Sequence, residues 1–129
     1  MKLKLIIILL LPYCLIAQQE FRILGTWKTC ITKKRSEIKN CSGDAYSVTY
    51  TFLEDGTFSR YNSINGKEYI NHGTWSYGGK FLVRNNINEK GIPSGEFEIK
   101  IKWINEKLFF MKGREGKFGP MYYHGFHKQ

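Results

Sequence analysis

Residues that carry chemistry are scarce in this chain. Its 129 residues include three histidines, His72, His124 and His127, and two aspartates, Asp44 and Asp55. Both aspartates stand beside glycine, at Gly43 and Gly56, which is turn chemistry. His124 and His127 are three positions apart, so on a strand they point to opposite faces, and two ligands of a metal site would diverge. No Gly-rich phosphate loop, nucleophile elbow or His-Glu-x-x-His sequence occurs. The expectation is therefore no catalytic residue, no metal and no cofactor. Acidic side chains are also few: 11 against 20 Lys and Arg, for a net charge of +9. No stretch of about ten residues or more keeps a helical period in the body of the chain. At this length there is room for one core and not for two ordinary domains with a cleft between them.

Long apolar runs are confined to the start. Lys2 and Lys4 precede an unbroken Leu/Ile run from Leu5 to Leu11, then Pro12, and Leu15-Ile16-Ala17 leads into polar Gln18-Gln19-Glu20. This is the three-part pattern of a secretory signal peptide, 1–17, with cleavage after Ala17. The apolar stretch is well short of the roughly 20 residues a spanning helix needs, so no transmembrane span is expected. Cys14 raises the alternative of a lipoprotein. It is the less favoured one, because lipid attachment needs a small residue before the cysteine and Tyr13 stands there. The remaining chain, 18–129, reads as one secreted or periplasmic domain acting as a monomer. It retains Cys30 and Cys41, and two cysteines in an exported domain most often form one disulfide. Closing a loop of that length is worth about 3 kcal/mol in the chain-entropy model.

What is abundant is two-residue alternation. Tyr46, Val48, Tyr50 and Phe52 share one face of a segment whose other face is Ser47, Thr49 and Thr51. Phe97, Ile99, Ile101 and Trp103 alternate with Glu and Lys in the same way. One buried and one wet face mark antiparallel pairing. Glu54-Asp55-Gly56 fits a three-residue hairpin loop that sets Phe52 beside Phe58. Asn105-Glu106 fits a two-residue loop pairing Trp103 with Leu108 and Ile101 with Phe110. Gly78-Gly79 fits a two-residue turn pairing Trp75 with Leu82 and turning Arg84 inward. A slip of one residue would instead turn Phe81 and Val83 inward, and the pattern leaves both registers open. Eight strands result, at 25–32, 46–53, 57–62, 68–77, 80–87, 95–104, 107–113 and 120–126. The fold expected is all-β, an antiparallel up-and-down eight-stranded barrel with one disulfide, and a sandwich is the alternative.

Leu24-Gly25-Thr26-Trp27 at the opening of the first strand resembles the Gly-x-Trp signature of the lipocalin barrel. Phe52-Leu53-Glu54-Asp55-Gly56-Thr57-Phe58 and Gly73-Thr74-Trp75 follow in the order seen in compact lipocalin-like domains of exported Bacteroidetes-type proteins. The resemblance covers residues 22 to 113. It implies a calycin-type barrel in which Trp27 plugs the closed end. Where that family carries an arginine against the first Trp, the nearest cation here is Lys128.

Two function classes remain. In the first, the barrel binds a small hydrophobic or fatty-acid-like molecule non-covalently, with Tyr50, Trp75, Arg84, Phe97, Trp103 and Phe110 as the candidate interior. An inward Arg84 would need a partner, since an unpaired buried charge is costly, and a ligand carboxylate would serve. In the second, the interior is filled and the protein acts through its outer surface, as an envelope adaptor or inhibitor. The loop between Cys30 and Cys41 carries Lys33, Lys34, Arg35 and Lys39 and would be the contact for an anionic surface or protein. Nucleic acid is not an expected partner for an exported chain. An enclosed pocket of roughly 300 Å³ or more would favour the first class.

Overall fold

The computed structural model describes residues 22–41, 48–114 and 117–129. The proposed signal peptide and Cys14 lie outside the described residues. Nine strands form one antiparallel sheet: β1 (Gly25–Thr32), β2 (Val48–Phe52), β3 (Thr57–Ile64), β4 (Lys67–Tyr77), β5 (Phe81–Ile87), β6 (Pro93–Lys100), β7 (Lys102–Asn105), β8 (Leu108–Arg114) and β9 (Met121–Lys128). Across the sheet the order is β6-β5-β4-β3-β2-β1-β9-β8-β7. The outermost strands, β6 and β7, are consecutive stretches of chain broken only at Ile101, so the sheet curls until its two edges are halves of one extended run. That break turns the expected eight strands into nine. At the break the Ile101 N–H donates to Lys80 O at 3.0 Å.

The turns follow from their residues. Between β2 and β3, Gly56 takes φ +83° and its N–H donates to Leu53 O, which pairs Phe52 with Phe58 as the loop spacing predicts. Asp55 Oδ1 accepts from the Thr57 N–H at 2.9 Å and its hydroxyl at 2.6 Å. Between β3 and β4, Asn65 and Gly66 both have positive φ, the two-residue hairpin turn whose twist suits its strands.

Two registers differ from the sequence reading. Tyr77 pairs with Leu82 and Trp75 with Arg84, because the β4–β5 loop spends Lys80 and Phe81 as well as the two glycines. That shift is two residues, so every side chain keeps its face. At the β7–β8 hairpin Asn105 pairs with Leu108, and an irregularity between Trp103 and Asn105 shifts the register by one. Trp103 therefore sits opposite Phe109, not Leu108, and Phe109 takes the inner face that the pattern assigned to Phe110.

The core lies inside the curl. Trp27, Phe52, Tyr77, Leu82 and Phe109 are almost fully buried there, with Tyr50, Phe58, Trp75, Ile101 and Phe126 around them. Phe109 packs on Trp27 at 4.7 Å, on Trp103 at 5.0 Å and on Phe126 at 4.5 Å between ring centroids. Trp27 closes this end. Its indole N–H donates to Ile23 O at 2.7 Å, and Lys128 Nζ lies 5.5 Å from its ring.

A second, smaller core lies outside the wall. After β1 the chain makes a 3-10 helix (Arg35–Asn40), and its Ile38 is buried with Leu108 and Phe110. Cys30 and Cys41 are bonded with Cα atoms 6.3 Å apart, which ties this segment to β1. Gly125 lies beneath it: a Cβ there would stand 2.6 Å from an Ile38 methyl, so a side chain would lift the 3-10 helix off the sheet.

Candidate functional site

The inner face changes character from one end to the other. Ladder partners share a face, so β1 to β5 turn Ile31, Arg60, Asn62, Ile64, Tyr69, Asn71, Arg84 and Asn86 to the same side as the core. β6 adds Phe97 and β9 adds His124. All of these lie toward the end away from Trp27.

Arg84 is the centre of this group. Its Nη1–H donates to Tyr50 Oη at 3.1 Å, and its guanidinium stands 4.9 Å from the Tyr50 ring, 5.7 Å from Phe58 and 5.4 Å from Phe97. Arg60 donates from Nε to the same phenol oxygen, also at 3.1 Å. Two cations thus share one neutral acceptor. No Asp or Glu among the described residues occupies an inner-face position: Glu68, Glu96 and Glu98 pair with residues on the outer face. On β9, the His124 ring lies 4.7 Å from Phe126. Burial first, then the charges of Arg84 and Arg60, lower its pKa to about 4, so it is neutral at physiological pH.

Polar groups here lack partners. The buried side-chain atoms without a hydrogen bond among the described residues are Thr29 Oγ1, Asn86 Oδ1 and His124 Nε2, and all three belong to inner-face residues. Large apolar side chains of the inner face are meanwhile open to water. Ile31, Ile64 and Tyr69 are exposed, and Phe97 is 46% exposed.

The sequence candidates separate accordingly. Tyr50, Arg84 and Phe97 come together. Trp75 and Trp103 belong to the closed end, where Trp75 donates to Leu53 O and Trp103 to Tyr77 Oη. The Arg22 guanidinium covers Trp103 at 4.1 Å. Phe110 is not in the interior, because the one-residue shift after Trp103 puts it outside, under Ile38 and 5.0 Å from Arg35. Arg60, Asn86 and His124 were not among the candidates, although Arg60 follows Phe58 and His124 precedes Phe126 by the same two-residue step that marks the inner face.

The wall has one gap. Above Ile101, β6 pairs only with β5 while β8 runs on with β9, leaving a groove of about 410 Å³ lined by Glu98, Ile99, Lys100, Lys102, Phe110, Met111 and Lys112. No helix among the described residues is long and apolar enough to cross a membrane.

A curled antiparallel sheet with a Trp-plugged end and a polar-floored open end is the lipocalin-like barrel fold. The chain is similar to the crystal structure of a lipocalin-like protein from Bacteroides uniformis, with a TM-score of 0.58 and 19% identity, over 84% of this chain and 99% of that one. A redesigned β-barrel is similar with a TM-score of 0.51 and 12% identity, over 86% of this chain and 95% of that one. No family model and no curated protein matches the chain. At these identities the likeness establishes the fold.

Proposed function

We propose that this is an exported lipocalin-like barrel, a binder and not an enzyme, that holds a small hydrophobic molecule by an acidic head group at Arg84 and Arg60. The observation that carries this is the pair of half-buried guanidiniums on Tyr50, with no inner-face carboxylate among the described residues. A charge withdrawn from water needs a counter-charge, and an oxyanion is the natural one for guanidinium. The exposed inner-face residues Ile31, Ile64, Tyr69 and Phe97 supply an apolar lining for the rest of the molecule. The closed end is filled by aromatic rings, so the ligand enters from the open end alone. Its head meets the arginines and its tail lies toward the rim.

Displacement of a fluorescent fatty acid by tetradecanoate and by tetradecanol tests this. The acid should bind about tenfold to a hundredfold more tightly than the alcohol, the worth of a hydrogen bond to a charged group. Arg84→Met should remove that difference. Failure of both compounds to bind the wild-type protein overturns the reading. Export is tested by intact mass, with a mature chain beginning at Gln18.

A second reading is favoured by the pinned loop. Lys33, Lys34, Arg35 and Lys39 are all exposed on a segment fixed at both ends, by the disulfide and by Ile38. A rigid cluster of cations suits an anionic envelope surface or an acidic protein.

A further inference from the structure

We infer that the preferred ligand carries a hydrogen-bond donor, a hydroxyl or an amide N–H, within the first few atoms of its acidic head. It is then a hydroxylated or N-acylated amphiphilic acid and not a plain fatty acid. This rests on the reading of the open end as an acid-binding chamber.

The donors and acceptors of the chamber do not balance one another. On one side donors are in excess. Tyr50 Oη accepts from both Arg60 and Arg84, and no acceptor among the described residues receives its own proton. Each guanidinium carries further N–H groups beyond the one it gives to Tyr50. This side asks for an anion. On the other side an acceptor is left over: Asn86 Oδ1 is buried and unpartnered. An anion cannot satisfy it, since it too is acceptor-only. A buried acceptor without a donor is destabilising, because its lost water is not replaced.

The spacing decides where the donor belongs. Arg84 and Asn86 stand on the same face of β5, two residues apart, a rise of about 7 Å. The Arg84 side chain is held toward Tyr50 and Phe58, beneath Asn86. A head group seated on Arg84 therefore has Asn86 beside its next few atoms. A 3-hydroxy acid, or an acid with an amide nitrogen one carbon from the carboxylate, places an O–H or N–H in that position. A plain alkyl chain places methylenes against Asn86 Oδ1 and leaves it unpaired. His124 Nε2 and Thr29 Oγ1 are the other unpartnered buried atoms of the inner face among the described residues.

The experiment uses the disulfide-bonded protein purified after export. Tetradecanoate, 3-hydroxytetradecanoate and N-dodecanoylglycine compete against a fluorescent fatty acid. Both donor-bearing acids should bind about tenfold more tightly than tetradecanoate. In Asn86→Leu the two donor-bearing acids should lose that preference and bind no more tightly than tetradecanoate. Equal affinity of all three acids for the wild-type protein overturns the inference and leaves the arginine anchor standing. Absence of binding by any of them overturns the anchor, and the inference with it.

Discussion

The two ends of this barrel are built from the same alternation and do opposite things. At the closed end most inward positions are large and apolar, and the indole N–H groups of Trp27, Trp75 and Trp103 are all hydrogen-bonded. At the open end the inward positions include arginine, asparagine and histidine, and two buried atoms there, Asn86 Oδ1 and His124 Nε2, find no partner among the described residues. Foldedness is thus concentrated at one end, and the other is left with unmet electrostatic demand. In a fold of this size the division teaches that a site need not be carved out of the core. It can be the part of the inner face that the core does not reach.

The largest expected effect lies at the closed end. Trp27→Ala should cost about 3–5 kcal/mol in urea unfolding, because the indole is fully buried. Phe97→Ala, nearly half exposed at the other end, should cost less than about 1 kcal/mol. Similar losses would break the division.

Next comes acid. The His124 pKa of about 4 lies below the 6.5 of an unfolded histidine, so the unfolded chain binds the proton first as pH falls. Stability should drop from pH 6.5 toward 4 by about 3 kcal/mol at the lower limit, as the unfolded chain takes up a proton that folded His124, beside two arginines, does not. His124→Phe should flatten that part of the pH profile. A profile that His124→Phe leaves unchanged would move the acid sensitivity elsewhere.

Removing the disulfide as Cys30→Ser with Cys41→Ser should cost about 3 kcal/mol or somewhat less. The two ends should share this loss equally, since the bond fixes the outer 3-10 helix. Ligand affinity at the open end should change by less than about twofold once the protein is folded, as measured by the same displacement assay. The smallest effect belongs to Lys100→Ala on the outer face of β6, within about 0.5 kcal/mol. A larger one would mean that the groove beside β6 contributes to stability.

Much of the closed end is legible in the residues. Gly56 at the third position of its loop fixes Phe52 against Phe58, and the alternation of β2 and β6 assigns their faces. Arg84 illustrates why some errors are harmless: a hairpin loop longer by two residues moves the partner and preserves the face. Phe110 illustrates the opposite, since a single extra residue after Trp103 exchanges inside for outside, and bulges leave little trace in a pattern of apolar neighbours such as Leu108-Phe109-Phe110. The outer core was hidden for another reason. One isoleucine in a run of lysines has no period, and only the position of Gly125 beneath it shows why it is buried. His124 and Arg60 were readable in principle, but a charged residue on an inner face looks like an exposed one until the partners across the sheet are known.

The pairing of β1 with β9 has a consequence for how the barrel is made. Thr26 O accepts from the N–H of Gln129, and β1 is zipped from Trp27 to Thr32 against residues 128 to 123. Chain ends nearly a whole domain apart must meet before the first strand has both its neighbours. Contacts of such long sequence separation slow folding, because loop-closure entropy is lost before they form. A chain still emerging from synthesis can therefore build the β2–β6 hairpins in order, but β1 gains its second neighbour only when β9 has been made.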